Sequence, residues 1–237
     1  MRLRNIPGSR EIIAGSRFCV QEPECCRGRW REVFGNDRPL QIEVGMGKGR
    51  FLMDLAAANP SVNYVGIEMY SSVLVKAIDK ARERAEQGED TGNFRFLRMD
   101  ARFLTDIFAP GEVDHIWLNF SDPWPKAKHG GKRLTSSVFL RRYEEILRPA
   151  GGLDFKTDNT MLFDFSLREI EACGWTLTGV TRDLHRDPVM CAGNILTEYE
   201  EKFSAMGHPI CKLTARRPER AEADSAGSRR DPEFTEA

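Results

Sequence analysis

What this sequence lacks narrows its reading before any motif does. No apolar run approaches a membrane span, and the amino-terminal stretch MRLRNIPGSREIIAG has no apolar core of signal-peptide length. A cytoplasmic protein without a membrane partner is therefore expected. The six cysteines, Cys19, Cys25, Cys26, Cys173, Cys191 and Cys211, include no C-x-x-C pair. That removes the common zinc and thioredoxin-type arrangements and leaves reduced, packing thiols and no metal. Excess charge is also absent: Lys+Arg 35 against Asp+Glu 36 gives a formal net charge of -1. The chain as a whole carries no nucleic-acid footprint, so any basic surface must be local. Neither an internal repeat nor a G-x-x-x-x-G-K-[ST] phosphate loop occurs.

What is present is enough apolar material, 41% of 237 residues, for one full-sized core. Short β-rich runs alternate with longer amphipathic ones, which is the pattern of a doubly wound α/β sheet. LQIEV (40–44), NYVGIE (63–68), FRFLRM (94–99), DHIWLNF (114–120) and LDFKTD (153–158) read as the first five strands. Between them lie helical runs beginning at Arg50, Ser71, Ala101 and Ser137, the last with Phe139, Leu140, Tyr143, Ile146 and Leu147 on one face until Pro149 and Gly151-Gly152 stop it. After a helix over 160–173, WTLTGVTRDL (175–184) and LTEYEEKF (196–203) are expected as a final antiparallel pair of strands. The organisation expected is one domain over 1–213, with a basic extension at 1–38 packed on it and a disordered tail at 214–237, where aliphatic residues almost vanish.

In an open parallel sheet, ligands sit beyond the carboxyl ends of the strands. Four acids occupy such places: Glu43 before the first glycine loop, Glu68 and Asp100 at the ends of the second and third strands, and Asp122 after the fourth. Any one of them has an even chance of being a helix cap or a solvated loop end; four in register point to a ligand. The loop EVGMGKGRF has glycines at 45, 47 and 49 but Arg50 where a dinucleotide fingerprint needs glycine, which weakens a nicotinamide reading. Glu68 is placed to accept ribose hydroxyls and Asp100 an adenine amino group, and a wall of carboxylates suits an adenosine better than a triphosphate. From Lys126 to Arg142 there are six Lys or Arg and no acid. Starting beside Asp122, the run favours phosphate contact over a solvated helix face, although Arg141 and Arg142 revert to that face. Trp124 either stacks on a base or caps the core, and Pro123 and Pro125 stiffen the turn around it.

The segments EVGMGKG, GIE, MDA, FSDPWPKAKHGGKRL, FKTDN and TEYEEKF together resemble the tRNA (guanine-N7-)-methyltransferase family, a class I S-adenosylmethionine-dependent fold, over residues 2 to 213. The resemblance implies a Rossmann-like, mostly parallel seven-stranded sheet with helices on both faces and a C-terminal antiparallel strand. It implies methyl transfer from S-adenosylmethionine to guanine N7 at tRNA position 46. By the same resemblance Asp122 is catalytic, and the cofactor meets Glu43, Gly45, Gly47, Glu68, Asp100 and Asp122. Substrate meets Lys126, Asp158, Thr197, Glu198, Tyr199 and Glu200, while Lys128, His129, Gly130, Gly131, Lys132 and Arg133 touch the RNA. The protein is expected to act on tRNA as a monomer or weak homodimer. Relatives commonly carry further charge where this chain has Gly130 and Gly131, so binding here can lean on Arg2, Arg4, Arg10 and Arg17. Rival readings are an exocyclic-amine methyltransferase using D-P-W-P as a variant loop, a non-catalytic RNA-binding protein and a nicotinamide oxidoreductase.

Overall fold

Leu40, Ile42 and Val44 alternate with Gln41 and Glu43 along the first strand, and this alternation decides which face of the sheet is apolar. The structure, a computed structural model, describes residues 6–219. In chain order the elements are α1 (Ser9–Ala14), α2 (Trp30–Phe34), β1 (Leu40–Val44), α3 (Arg50–Ala58), β2 (Asn63–Glu68), α4 (Ser71–Glu86), β3 (Phe94–Arg98) and α5 (Leu104–Ile107). Then follow β4 (Val113–Asn119), α6 (Ser137–Ile146), β5 (Leu147–Thr157), α7 (Thr160–Ala172), β6 (Thr176–Thr181), α8 (Glu198–Ala205) and β7 (Cys211–Arg216).

The strands form one sheet in the order β3-β2-β1-β4-β5-β7-β6. β7 runs antiparallel to both of its neighbours, and the other pairings are parallel. Strand order reverses between β1 and β4, so the crevice at their carboxyl ends is the topological switch point. On one face, Ile42, Val44, Ile67, Leu118 and Phe155 pack with Trp30 of α2 and with α6 and α7 residues such as Tyr143 and Phe163. Burying each such side chain contributes about 1.5–3 kcal/mol. The other face is apolar only under α1, α3 and α4, where Tyr64, Phe94 and Phe96 meet Phe51, Leu52, Leu74 and Ile78.

Toward the middle of the sheet that second face turns polar. Trp117 donates from Nε1 to Gln41 Oε1 at 2.8 Å, and Asp154 is paired with His115 and Lys212, each at 3.1 Å. Lys156 lies 2.6 Å from Glu200 with both side chains buried. Most members of this polar row satisfy one another, which offsets the cost of burying them.

Three expectations change. LTEYEEKF is not a strand: residues 198–205 form α8, because Thr197 and Glu200 close a reciprocal capping box at its start. The seventh strand is Cys211–Arg216, so the ordered sheet continues past residue 213 into the segment read as a tail. β5 begins at Leu147, with an irregularity opposite Val113 and His115, where Pro149 and the glycines were expected to end the preceding helix and leave a loop. β6 does have an antiparallel partner, but it is β7 and not the expected LTEYEEKF segment. Arg2, Arg4 and residues 220–237 lie outside the described residues, while Arg10 and Arg17 are exposed on the segment whose helix α1 packs against α4.

Candidate active site

A cavity of about 680 Å³ opens at the switch point, lined by residues that end or follow β1 (Val44 and Gly45), β2 (Glu68 to Tyr70), β3 (Met99 to Arg102) and β4 (Phe120 to Asp122). Its floor is the glycine loop, whose Gly45 and Met46 N–H groups both donate to Ile67 O. Gly47 has φ +58°, a left-handed backbone that aims its N–H at Glu68 Oε2, 3.1 Å away. Gly66 permits the loop to lie on β2, since a Cβ there would stand 2.2 Å from Met46 Sδ.

Glu68 also accepts from Tyr70 N at 2.9 Å. Burial pushes its carboxyl above the ordinary range, against the pull of its main-chain donors and with the Asp122 charge pushing the same way. Asp100 caps the short turn at Ala101–Phe103 and accepts from both Arg102 N and Arg102 Nε at 2.9 Å. Burial would raise Asp100, but those hydrogen bonds and the guanidinium charge outweigh it and hold the carboxyl low.

Asp122 sits exposed on the cavity rim, in a turn where Phe120 (φ 51°) and Trp124 (φ 42°) are both left-handed. Such residues cost about 1–3 kcal/mol each and persist only where surroundings impose them. Just before Asp122, Ser121 Oγ is buried without a hydrogen-bond partner. The short arm Ala127–Lys132 returns over the mouth of the cavity, where Gly131 and Lys132 form part of its wall. Lys132 Nζ stands 4.8 Å from the centroid of the Trp124 ring, and His129 meets that ring edge-on at 5.6 Å. The indole is thus half-buried on the cavity wall, under a cation.

A family model described as a putative methyltransferase matches residues 37–213. The chain is 57% identical over 215 residues to a tRNA (guanine-N(7)-)-methyltransferase of Lachnoclostridium phytofermentans, covering 91% of this chain and 98% of that protein. The chain belongs to the tRNA (guanine-N(7)-)-methyltransferase family. A Bacillus subtilis relative with the same description is 47% identical over 211 residues, 89% of this chain and 96% of its own length. Among solved structures, the 16S rRNA methyltransferase KamB superposes with a TM-score of 0.61 at 16% identity, covering 81% of this chain and 94% of that one; the likeness is one of fold.

Not every residue that family resemblance nominates reaches the cavity. Gly45, Glu68, Asp100 and Asp122 line it, and Gly47 bonds to Glu68 just beneath. Glu43 does not: 2% exposed on the polar sheet face, it accepts from Asn119 Nδ2 at 2.9 Å through one oxygen, and the other has no partner. Burial pushes this carboxyl up to about 8, with Asn119 and Lys156 opposing. Asp158 and Tyr199 do come together, Tyr199 Oη donating to Asp158 Oδ2 at 2.9 Å while its ring stacks on Phe203 and lies 4.8 Å from Phe120.

Thr197 and Glu200 do not line the cavity. One is the buried helix cap, and the other is fully buried against Lys156. Glu198 is engaged by Lys48 at 3.2 Å and by Lys80. On the arm, Lys126 and Lys128 are exposed and Gly130 is half-buried, but Arg133, expected among the RNA contacts, is buried with its guanidinium on main-chain carbonyls. Met69, Tyr70 and Phe139 on the cavity wall went unnominated; adjacency to a strand-end acid would have found the first two.

Proposed function

We propose that this chain transfers the methyl group of S-adenosylmethionine to N7 of guanine in tRNA, with position 46 of the variable loop as the target. The observation that carries the reading is a single mouth at which an acceptor-lined cavity, the Asp122 turn and a lysine-bearing arm meet. The donor set fits the cofactor. Glu68, Asp100 and Asp122 present carboxylate oxygens that accept from ribose hydroxyls and amines, attract a cationic ligand and repel phosphates. The volume falls among small-molecule clefts, which run to roughly 300–1,000 Å³.

When bound, S-adenosylmethionine supplies an electrophilic methyl on a positively charged sulfur. Guanine N7 holds an in-plane lone pair and attacks without losing a proton, so the chain needs no general base, only alignment. Asp122, on the rim, accepts from the guanine N1 and N2 hydrogens and stabilises the positive charge that the ring gains. Tyr199 and Asp158 close the substrate side beside Phe120. Lys126, Lys128 and Lys132 meet phosphate, a contact that positions without reading sequence. The setting proposed is the cytoplasm, with the chain a monomer or weak homodimer; among the described residues no helix is long and apolar enough to cross a membrane.

The test is transfer of labelled methyl to unmodified tRNA, run beside the same tRNA carrying 7-deazaguanine at the target. Label in the first and none in the second is expected; equal label in both would refute attack by N7. Asp122→Asn should lose most of the transfer while retaining the fold.

A further inference from the structure

Arg133 stands in a cationic run, where phosphate contact is the ordinary expectation, yet it is only 7% exposed. Its Nε donates to Pro123 O and its Nη2 to Trp124 O, both at 3.0 Å, and its guanidinium lies 4.2 Å from the centroid of the Phe165 ring on α7. We propose that Arg133 is a positioning residue that holds the Asp122 turn in its working shape, and not an RNA contact. The proposal rests on reading Asp122 as the reaction centre.

The turn needs such a hold. Pro123 and Pro125 have no N–H to donate. Among the described residues no main-chain hydrogen bond reaches residues 121–125; the last before them runs from Phe120 N to Lys156 O. Phe120 and Trp124 are in left-handed backbone on either side of Asp122, a shape that a free segment would leave. The two bonds from Arg133 are the only hydrogen bonds reaching this segment among the described residues. They are charge-assisted, and they span consecutive carbonyls, which the planar fork of arginine does and the point charge of lysine does not.

Arg133 is itself fixed, its N–H donating to Gly130 O and its carbonyl accepting from Ser136 N, each at 3.0 Å. The arm, the turn and α7 are therefore joined at one guanidinium. A phosphate could reach it only by pulling it off two carbonyls and an aromatic face.

The experiment measures Arg133→Lys and Arg133→Gln beside Lys132→Ala, in methyl transfer at saturating tRNA and cofactor, in tRNA binding across a salt series and in melting temperature. For both Arg133 variants kcat should fall about 10- to 100-fold, the scale of a small misplacement at a reaction centre, with the salt slope of binding unchanged. Lys132→Ala should lower that slope by about one. In the Asp122→Asn background, Arg133→Lys should cost almost nothing more, because both changes act through one group.

A lowered salt slope with the rate restored by excess tRNA would make Arg133 a phosphate contact and overturn the proposal. So would an undiminished kcat, or a loss that adds in full to Asp122→Asn. Failure of both Arg133 variants to fold would make it a stability residue only. An Asp122→Asn enzyme at wild-type rate would remove the reading of Asp122 itself, an outcome separate from failure of the clamp.

Discussion

Glu43 shows how far one residue can be read from its neighbours. Its position two places before the first glycine suggested a cofactor contact, but side chains alternate along β1, and Glu43 shares the polar face with Gln41. That alternation was legible; that nothing ionic would meet its second oxygen was not, because burial is a property of the folded chain. The carboxyl is 4.5 when free and about 8 when folded. A raised folded value means that the group's stabilising share is complete below 4.5 and is lost as pH rises through about 8. Glu43→Gln removes this titration. Urea midpoints of the two proteins at either end of that window should therefore diverge, the variant gaining on the wild type as pH rises. Parallel pH profiles would mean that Glu43 is ionised throughout. Arg133 teaches the same lesson with the opposite sign: a run of cations reads as surface, and only the fold reveals which cation turned inward.

Helix α8 is the element that the sequence concealed behind an apparent β pattern. Leu196, Glu198 and Glu200 alternate with Thr197 and Tyr199, and β-branched and aromatic residues favour a strand. The competing signal was present in the same letters, T-x-x-E, the capping box that starts a helix. Thr197→Ala should lower stability by about 1 kcal/mol, the usual worth of such a cap, measured by urea denaturation. It should also loosen the Tyr199 bond to Asp158, since Tyr199 sits in the first turn. An unchanged midpoint would place the hold on α8 elsewhere, in the Lys156 and Glu200 pair or in the ion pairs from Lys48, Lys80 and Arg50 to Glu198 and Glu201. β7 was legible too, in the buried Cys211, Leu213 and Ala215 alternating with Lys212 and Thr214. The charged, aliphatic-poor sequence starting inside it resembles a tail and masks that alternation.

The first six strands follow from alternating strand and helix runs, and the crevice follows from the topology, so Glu68, Asp100 and Asp122 are legible as neighbours in one place, whereas Glu43 is not. The position of β7 could not be assigned this way. Its pairing with β6 joins chain neighbours, but its pairing with β5 spans a long stretch of sequence, which local pattern does not encode. A chain ending after residue 210 should lose native far-UV dichroism and collect in the insoluble fraction, because β6 would have no partner in the sheet; a soluble product with native dichroism would show that the five parallel strands suffice. The strand order bears as well on how the protein is made. Among the described residues, β7 leaves the ribosome after every other strand yet belongs second from the sheet's edge. Throughout synthesis β5 waits with one side unpaired, an adhesive margin open to neighbouring nascent chains until the last strand arrives to close it.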